Sequence, residues 1–232
     1  GMTGRYALYL TPPPDHPLYE LGQQLIGRDA HYGGPLAQPV FRAIAPALFA
    51  DVTKTPRKYG FHATLKAPFR LSDGKSAEEL HQAAARFATA QQSFLVPKLE
   101  IKALDRFIAL IPADRCDPLH ALADACVTEF DHFRAPPTEE ELARRREANL
   151  SPAQDAMLTK WGYPFVFEQF RPHFSLTSRI EDAKQLEELV TAIRSHIDES
   201  VLSDVRFDSL AIFGQPDGWM PFYETARFPF GA

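Results

Sequence analysis

Residues 58–66 read Lys-Tyr-Gly-Phe-His-Ala-Thr-Leu-Lys, and residues 171–177 read Arg-Pro-His-Phe-Ser-Leu-Thr. Both stretches contain a histidine, an apolar residue, a hydroxyl residue and a second apolar residue in succession. Side chains alternate between the two faces of a strand. An extended chain therefore projects His62 and Thr64 from one side and Ala63 and Leu65 from the other. His173 and Ser175 are related in the same way to Phe174 and Leu176. Each copy offers one group that titrates near neutrality and one hydroxyl donor to a common face, with apolar neighbours left to anchor the strand. Chance alone yields roughly one His-x-Ser/Thr match in a chain with this composition. Two matches with the same apolar spacing, each opening a similar succession of elements, point to an internal duplication.

The succession can be traced outward from each motif. The first motif strand, at about 60–69, leads to a helix at about 76–91 and strands near 98–103 and 106–111. The second leads to a helix at about 182–199 and strands near 205–213 and 220–228. Glu-Glu-Leu falls in both helices, at Glu78-Glu79-Leu80 and Glu187-Glu188-Leu189. Ahead of the first motif, Arg5 to Thr11 reads as a strand stopped by Pro12-Pro13-Pro14, and Asp15 is placed to cap a helix running to about residue 28. Residues 29–58 read as loop-rich. Between the halves, a helix is expected at about 118–133, and then a charged stretch at 136–162. There Thr138 with Glu141, and Ser151 with Gln154, match capping boxes, and Gly162 suits a helix end. Glutamates one turn earlier offset the run Arg144-Arg145-Arg146, which reads as a solvated helix face.

Composition sets the outer bounds. With 232 residues, 45% of them hydrophobic, the chain can build a sizeable core. No apolar run is long enough to span a bilayer, and the polar, proline-rich start does not read as a secretory signal, so a cytoplasmic location is expected. Gly1 ahead of Met2 reads as a remnant of expression. Cys116 and Cys126 are too few for a disulfide framework and read as reduced packing residues. A net charge of −5 disfavours an extended nucleic-acid track, which needs a broad basic surface. A phosphate ligand would need a local basic pocket.

The paired motifs resemble those of the 2H phosphoesterase superfamily, named for two His-x-Thr/Ser motifs on the central strands of a two-lobed fold. Arg5-Tyr6-Ala7-Leu8-Tyr9, the 58–66 stretch and the helical insertion are similar to a bacterial branch of uncharacterised, DUF1045-like proteins. That branch is described in terms of phosphonate metabolism through its association with carbon-phosphorus lyase systems. The resemblance implies an α+β fold of RNA ligase-like type, with two pseudo-symmetric lobes, each an antiparallel sheet with flanking helices, around a central cleft. It implies one domain over 2–232, with lobes at about 59–133 and 165–230 and an insertion at about 136–162. It also implies a hydrolase that opens cyclic phosphodiesters without metal or other cofactor. His62 and His173 then form the acid-base pair, and Thr64 and Ser175 donate to the phosphate oxygens.

Further site residues are suggested by alternation around these motifs. Lys66 is expected on the face of His62 and Thr64, and Arg171 on the face of His173 and Ser175. Arg57 and Lys58 lie just ahead of the first motif. Tyr6 and Tyr9 point to opposite faces of their strand, and Tyr6 is the one assigned to the pocket. The remaining histidines considered, His31, His81, His120, His132 and His196, are expected in surface or packing roles.

The expected partner is a small phosphate ester, a phosphosugar or a nucleotide, with the oligomeric state left open. Two other functions fit the same residues: a protein that binds such a ligand without turning it over, and an enzyme acting on RNA 2′,3′ ends, where only a terminus enters the cleft. Segments 12–58 and 136–162 are irregular enough to wall the cleft and set specificity.

Overall fold

A computed structural model describes residues 4–232, so the reading of Gly1 lies outside the described residues. The α+β class expected is the class found. In chain order the strands are β1 (Arg5–Leu10), β2 (Ala63–Phe69), β3 (Phe94–Leu104), β4 (Phe107–Pro112), β5 (Phe174–Ser175), β6 (Ser203–Phe207), β7 (Ser209–Gln215) and β8 (Tyr223–Pro229). The helices are α1 (Pro17–Ile26), α2 (Pro46–Val52), α3 (Lys54–Tyr59), α4 (Ala77–Thr89), α5 (Asp117–Glu129), α6 (Glu139–Arg146), α7 (Pro152–Trp161) and α8 (Ala183–His196).

One eight-stranded sheet runs in the order β6-β3-β4-β5-β2-β1-β7-β8, and its pairings are antiparallel. The two motif strands, β2 and β5, meet at its centre. On either side stands a four-stranded half, β2-β1-β7-β8 and β5-β4-β3-β6, with the motifs at their junction. Strand β3, which comes after the first motif, pairs in the half of the second. Strand β7, which comes after the second motif, pairs with β1 in the half of the first. The halves of the sheet therefore exchange strands and do not coincide with the sequential lobes expected at 59–133 and 165–230. The exchange ties both ends of the chain to one core.

That core packs behind the motifs. Ala63 and Leu65 are buried, as are Phe174 and Leu176, and Phe174 stacks between Phe61 at 5.2 Å and Phe207 at 6.0 Å. Helix α4 starts at Ser76, whose side chain accepts from the Glu79 amide, and α8 starts at Asp182, which accepts from Gln185. Both capping boxes of the insertion form, at Thr138 and Ser151, and Gly162 ends α7 with φ +77°.

Three local expectations differ from the structure. His16, not Asp15, caps α1, its Nδ1 accepting from the Leu18 amide at 3.0 Å. The loop-rich segment 29–58 contains α2 and α3, the latter ended by Gly60 at φ +88°, where a Cβ would come within 2.8 Å of the Phe213 ring. The expected strand 205–213 divides at Asp208 into β6 and β7, which serve opposite halves of the sheet.

Lys66 marks a fourth difference. Tyr9 pairs with Thr64 but Leu8 pairs with Lys66, so the register slips by one residue at Leu65. A one-residue bulge reverses the facing of the residues beyond it. Lys66 therefore turns inward to α5, where its Nζ donates to the Val127 carbonyl at 2.9 Å and to the Asp131 carboxylate at 3.0 Å. Arg134 donates to the same carboxylate at 2.9 Å. Removing one partner of a buried pair leaves the other charge stranded, so Asp131→Ala is expected to destabilise the fold by about 3 kcal/mol. Lys66→Met, which removes the buried charge itself, should cost far less. Denaturant unfolding of the two variants checks the order.

Candidate active site

The central register decides which side chains meet. Ala63 lies opposite Phe174 in antiparallel pairing. On that register Thr64 faces His173 across the strands, and His62 faces Ser175. All four project from the sheet face opposite the apolar anchors, and all four line one cavity of about 320 Å³. Thr64, Phe107, Tyr163 and His173 also line a second cavity of about 480 Å³, so the two are chambers of a single cleft.

Each imidazole is fixed the same way. His62 Nδ1 lies 2.8 Å from the Gly60 carbonyl, and His173 Nδ1 lies 2.6 Å from the Arg171 carbonyl. A carbonyl can only accept, so Nδ1 carries the proton in both rings and Nε2 keeps its lone pair for chemistry. Nε2 of His62 stands 3.2 Å from Thr64 Oγ1, and the ring lies flat on Tyr9, with centroids 3.5 Å apart and planes inclined by 12°. His173 packs against Phe107 at 5.6 Å. Burial drives the His62 pKa down to about 3, against a partial lift from the Gly60 carbonyl, and repulsion from His173 lowers it further. His173 is also lowered, first by burial and then by the Arg171 charge, with the Arg171 carbonyl opposing. Two imidazoles that repel each other titrate as a pair, and the pair holds at most one proton near neutrality.

The structure disperses the other expected site residues. Arg171 lines the larger chamber, its guanidinium 5.5 Å from the centre of the Phe165 ring. Lys66 is withdrawn by the bulge. Arg57 points away from the cleft, donating to the Ala50 carbonyl at 2.8 Å and to Thr53 Oγ1 at 3.1 Å. Lys58 lines an adjoining chamber, with Nζ 3.4 Å from the Gly218 carbonyl. Tyr6 packs on the main apolar core, so the β1 tyrosine that lines the cleft is Tyr9, whose cross-strand partner is Thr64.

Arg145 is a correction of a different kind. Its neighbours Arg144 and Arg146 are exposed, but Arg145 is half-buried in the cleft, 4.9 Å over the Tyr163 ring. Arg179 also lines the cleft, with its charge engaged at 2.6 Å by both Asp105 and Glu181.

Tyr163, Phe165, Phe167 and Phe170, from the segment just after the insertion, wall the larger chamber with Asn149 and Gln154 of the insertion. His31, His81, His120, His132 and His196 do not line the cleft. Among the described residues no three His, Cys, Asp or Glu side chains gather at metal-ligand spacing, Cys116 and Cys126 are free and buried, and no helix is long and apolar enough to cross a membrane.

The fold and site define an antiparallel α+β protein whose two central strands bring paired His and hydroxyl side chains into one cleft. The family described as protein of unknown function DUF1045 matches residues 64–223, and the chain belongs to that family. It is 39% identical over 229 residues to the ribose 1,5-bisphosphate phosphokinase PhnN of Janthinobacterium sp. (strain Marseille), a match covering 97% of this chain and 51% of that protein. The PhnN of Laribacter hongkongensis (strain HLHK9) is 34% identical over 222 residues, covering 94% of this chain and 50% of that protein. The chain thus spans about half the length of the curated relatives it matches. Among solved structures, E. coli LigT complexed with 3′-AMP is similar, with 13% identity, a TM-score of 0.46 and 98% of each chain covered. E. coli LigT complexed with phosphate covers 100% of each chain at 13% identity and a TM-score of 0.45.

Proposed function

We propose that the protein is a phosphoesterase of the two-histidine kind, a metal-independent phosphodiesterase that opens a cyclic phosphodiester of a small phosphosugar or nucleotide. The observation that carries this reading is the interleaving of His62 with Ser175 and His173 with Thr64 on one sheet face, both rings presenting Nε2. Displacement at phosphorus needs a base on the attacking side and an acid on the leaving side. His62 Nε2 takes a proton from water as the water oxygen bonds to phosphorus. The bond from phosphorus to the ring oxygen breaks, and that oxygen takes the proton of His173 Nε2. The ring opens to a phosphate monoester beside a free hydroxyl, and the proton gained by His62 returns through solvent to restore the pair. His62 is assigned the base because its deeper depression keeps it neutral when the pair holds one proton.

Thr64 and Ser175 donate to the non-bridging oxygens, where negative charge grows in the transition state. The curated relatives favour a phosphosugar over an RNA end: their names concern a ribose bisphosphate, and each of those proteins includes a half like this chain. A sugar phosphate with a free neighbouring hydroxyl is the kind of product this site would release. Purified protein in excess chelator should convert a cyclic sugar or nucleotide phosphate to the monoester, monitored by phosphorus NMR. Tight binding of such a compound with no ring opening on prolonged incubation would leave a binding protein instead.

A further inference from the structure

A third chamber, of about 660 Å³, adjoins the catalytic cleft, and Tyr59, Pro68 and Arg145 line both. Its walls include six cationic side chains, Arg5, Lys58, Arg70, Arg134, Arg144 and Arg145, and one carboxylate, Glu141. That density of positive charge stands in a chain of net charge −5. Half of it is spent within the fold. Arg70 pairs with Glu141 at 2.7 Å, Arg134 with Asp131 at 2.9 Å, and Arg5 donates to Gln215 at 2.8 Å while lying over Phe222.

The other half meets no carboxylate. Lys58 reaches only the Gly218 carbonyl at 3.4 Å, Arg145 has only the face of the Tyr163 ring, and Arg144 has no partner among the described residues. Three cations without a carboxylate partner, one from the end of α3 and two from the insertion helix α6, thus line one chamber. An anion seated there would supply the counter-charge that the fold does not. Two guanidiniums and an ammonium match the three oxygens of a terminal phosphate monoester better than the two of a carboxylate.

We infer that this chamber binds a second phosphate on the substrate, remote from the phosphodiester that is opened, so that the product is a bisphosphate. The inference rests on the two-histidine reading of the cleft. Arg145, on the wall common to the cleft and the chamber, lies between the two phosphates. The insertion that carries α6 thereby becomes the specificity element, admitting doubly phosphorylated ligands in preference to singly phosphorylated ones.

The test compares ligands that differ only in the remote group: adenosine 3′,5′-bisphosphate against adenosine 3′-monophosphate for affinity by calorimetry, and their 2′,3′-cyclic precursors for turnover. The bisphosphate is expected to bind at least about tenfold tighter, and the ratio to fall toward one in a Lys58→Ala, Arg144→Ala double variant. Both replaced side chains are exposed, so the fold tolerates their removal. Equal affinities in the unmodified protein, or a preference that survives the double variant, overturn the inference. Failure to open either cyclic compound sinks the phosphodiesterase reading alone, because the affinity ratio still reports whether the chamber takes a phosphate.

Discussion

Replacing either His62 or His173 by alanine is expected to lower kcat/KM for a cyclic phosphate by about 10³-fold, near the middle of the range for loss of a positioned acid or base. The two losses should be equal within about tenfold, since neither proton transfer proceeds well without the other. For the same reason the double variant should fall little below the single ones, as is usual for groups that act as a unit. Folding is not at stake to the same degree. The strands are anchored by Ala63, Leu65, Phe174 and Leu176 on the opposite face, so near-native unfolding midpoints should accompany the lost turnover. Kinetics in excess chelator, with unfolding curves for each variant, check both halves of the expectation. Full activity in either single variant would remove that ring from the chemistry.

That each motif sends its histidine and its hydroxyl to one face was legible in the sequence because it is written locally. His-x-Thr/Ser at strand spacing fixes which side chains share a face, and Ser76, Thr138, Ser151, Asp182 and Gly162 mark helix ends within a few residues of themselves. The features that escaped the sequence depend on partners far along the chain. Lys66 obeys strict alternation until β1 imposes the slip at Leu65, and no residue near Lys66 announces it. The choice of Tyr9 over Tyr6 is made by its pairing with Thr64. The exchange of β3 and β7 between the halves of the sheet cannot be seen from element order, because both the exchanged and the sequential arrangements read strand, motif strand, helix, strand. Arg145 was hidden by composition: three consecutive arginines after three glutamates read as a solvated face, yet the helical turn separates their directions. Arg146 goes to Asp155 at 2.8 Å, Arg144 to the basic chamber, and Arg145 into the cleft.

Raising the pH above neutrality should quench the enzyme steeply. On the proposed mechanism the productive form of the free protein has one imidazole protonated and the other neutral, and kcat/KM reports the ionisations of that form. Burial depresses both rings below the ordinary histidine value, His62 to about 3 and His173 to a lesser degree. The descending limb therefore begins below pH 6.5 and falls about tenfold per pH unit, so that activity near pH 8.5 is at least about a hundredfold below its maximum. The ascending limb lies far to the acid side, where protonation of His62 removes the base. A bound phosphate anion stabilises an imidazolium beside it, so the corresponding limb in kcat should sit at higher pH than in kcat/KM. His173→Ala should abolish the descending limb in the residual activity, because the proton donor that limb reports is gone. Profiles of both parameters from about pH 4 to about pH 9, with NMR titration of the imidazole resonances, test the assignment. A descending limb centred above pH 7.5 in kcat/KM would mean that the proton donor is a group less deeply desolvated than His173, and would take the acid role away from His173.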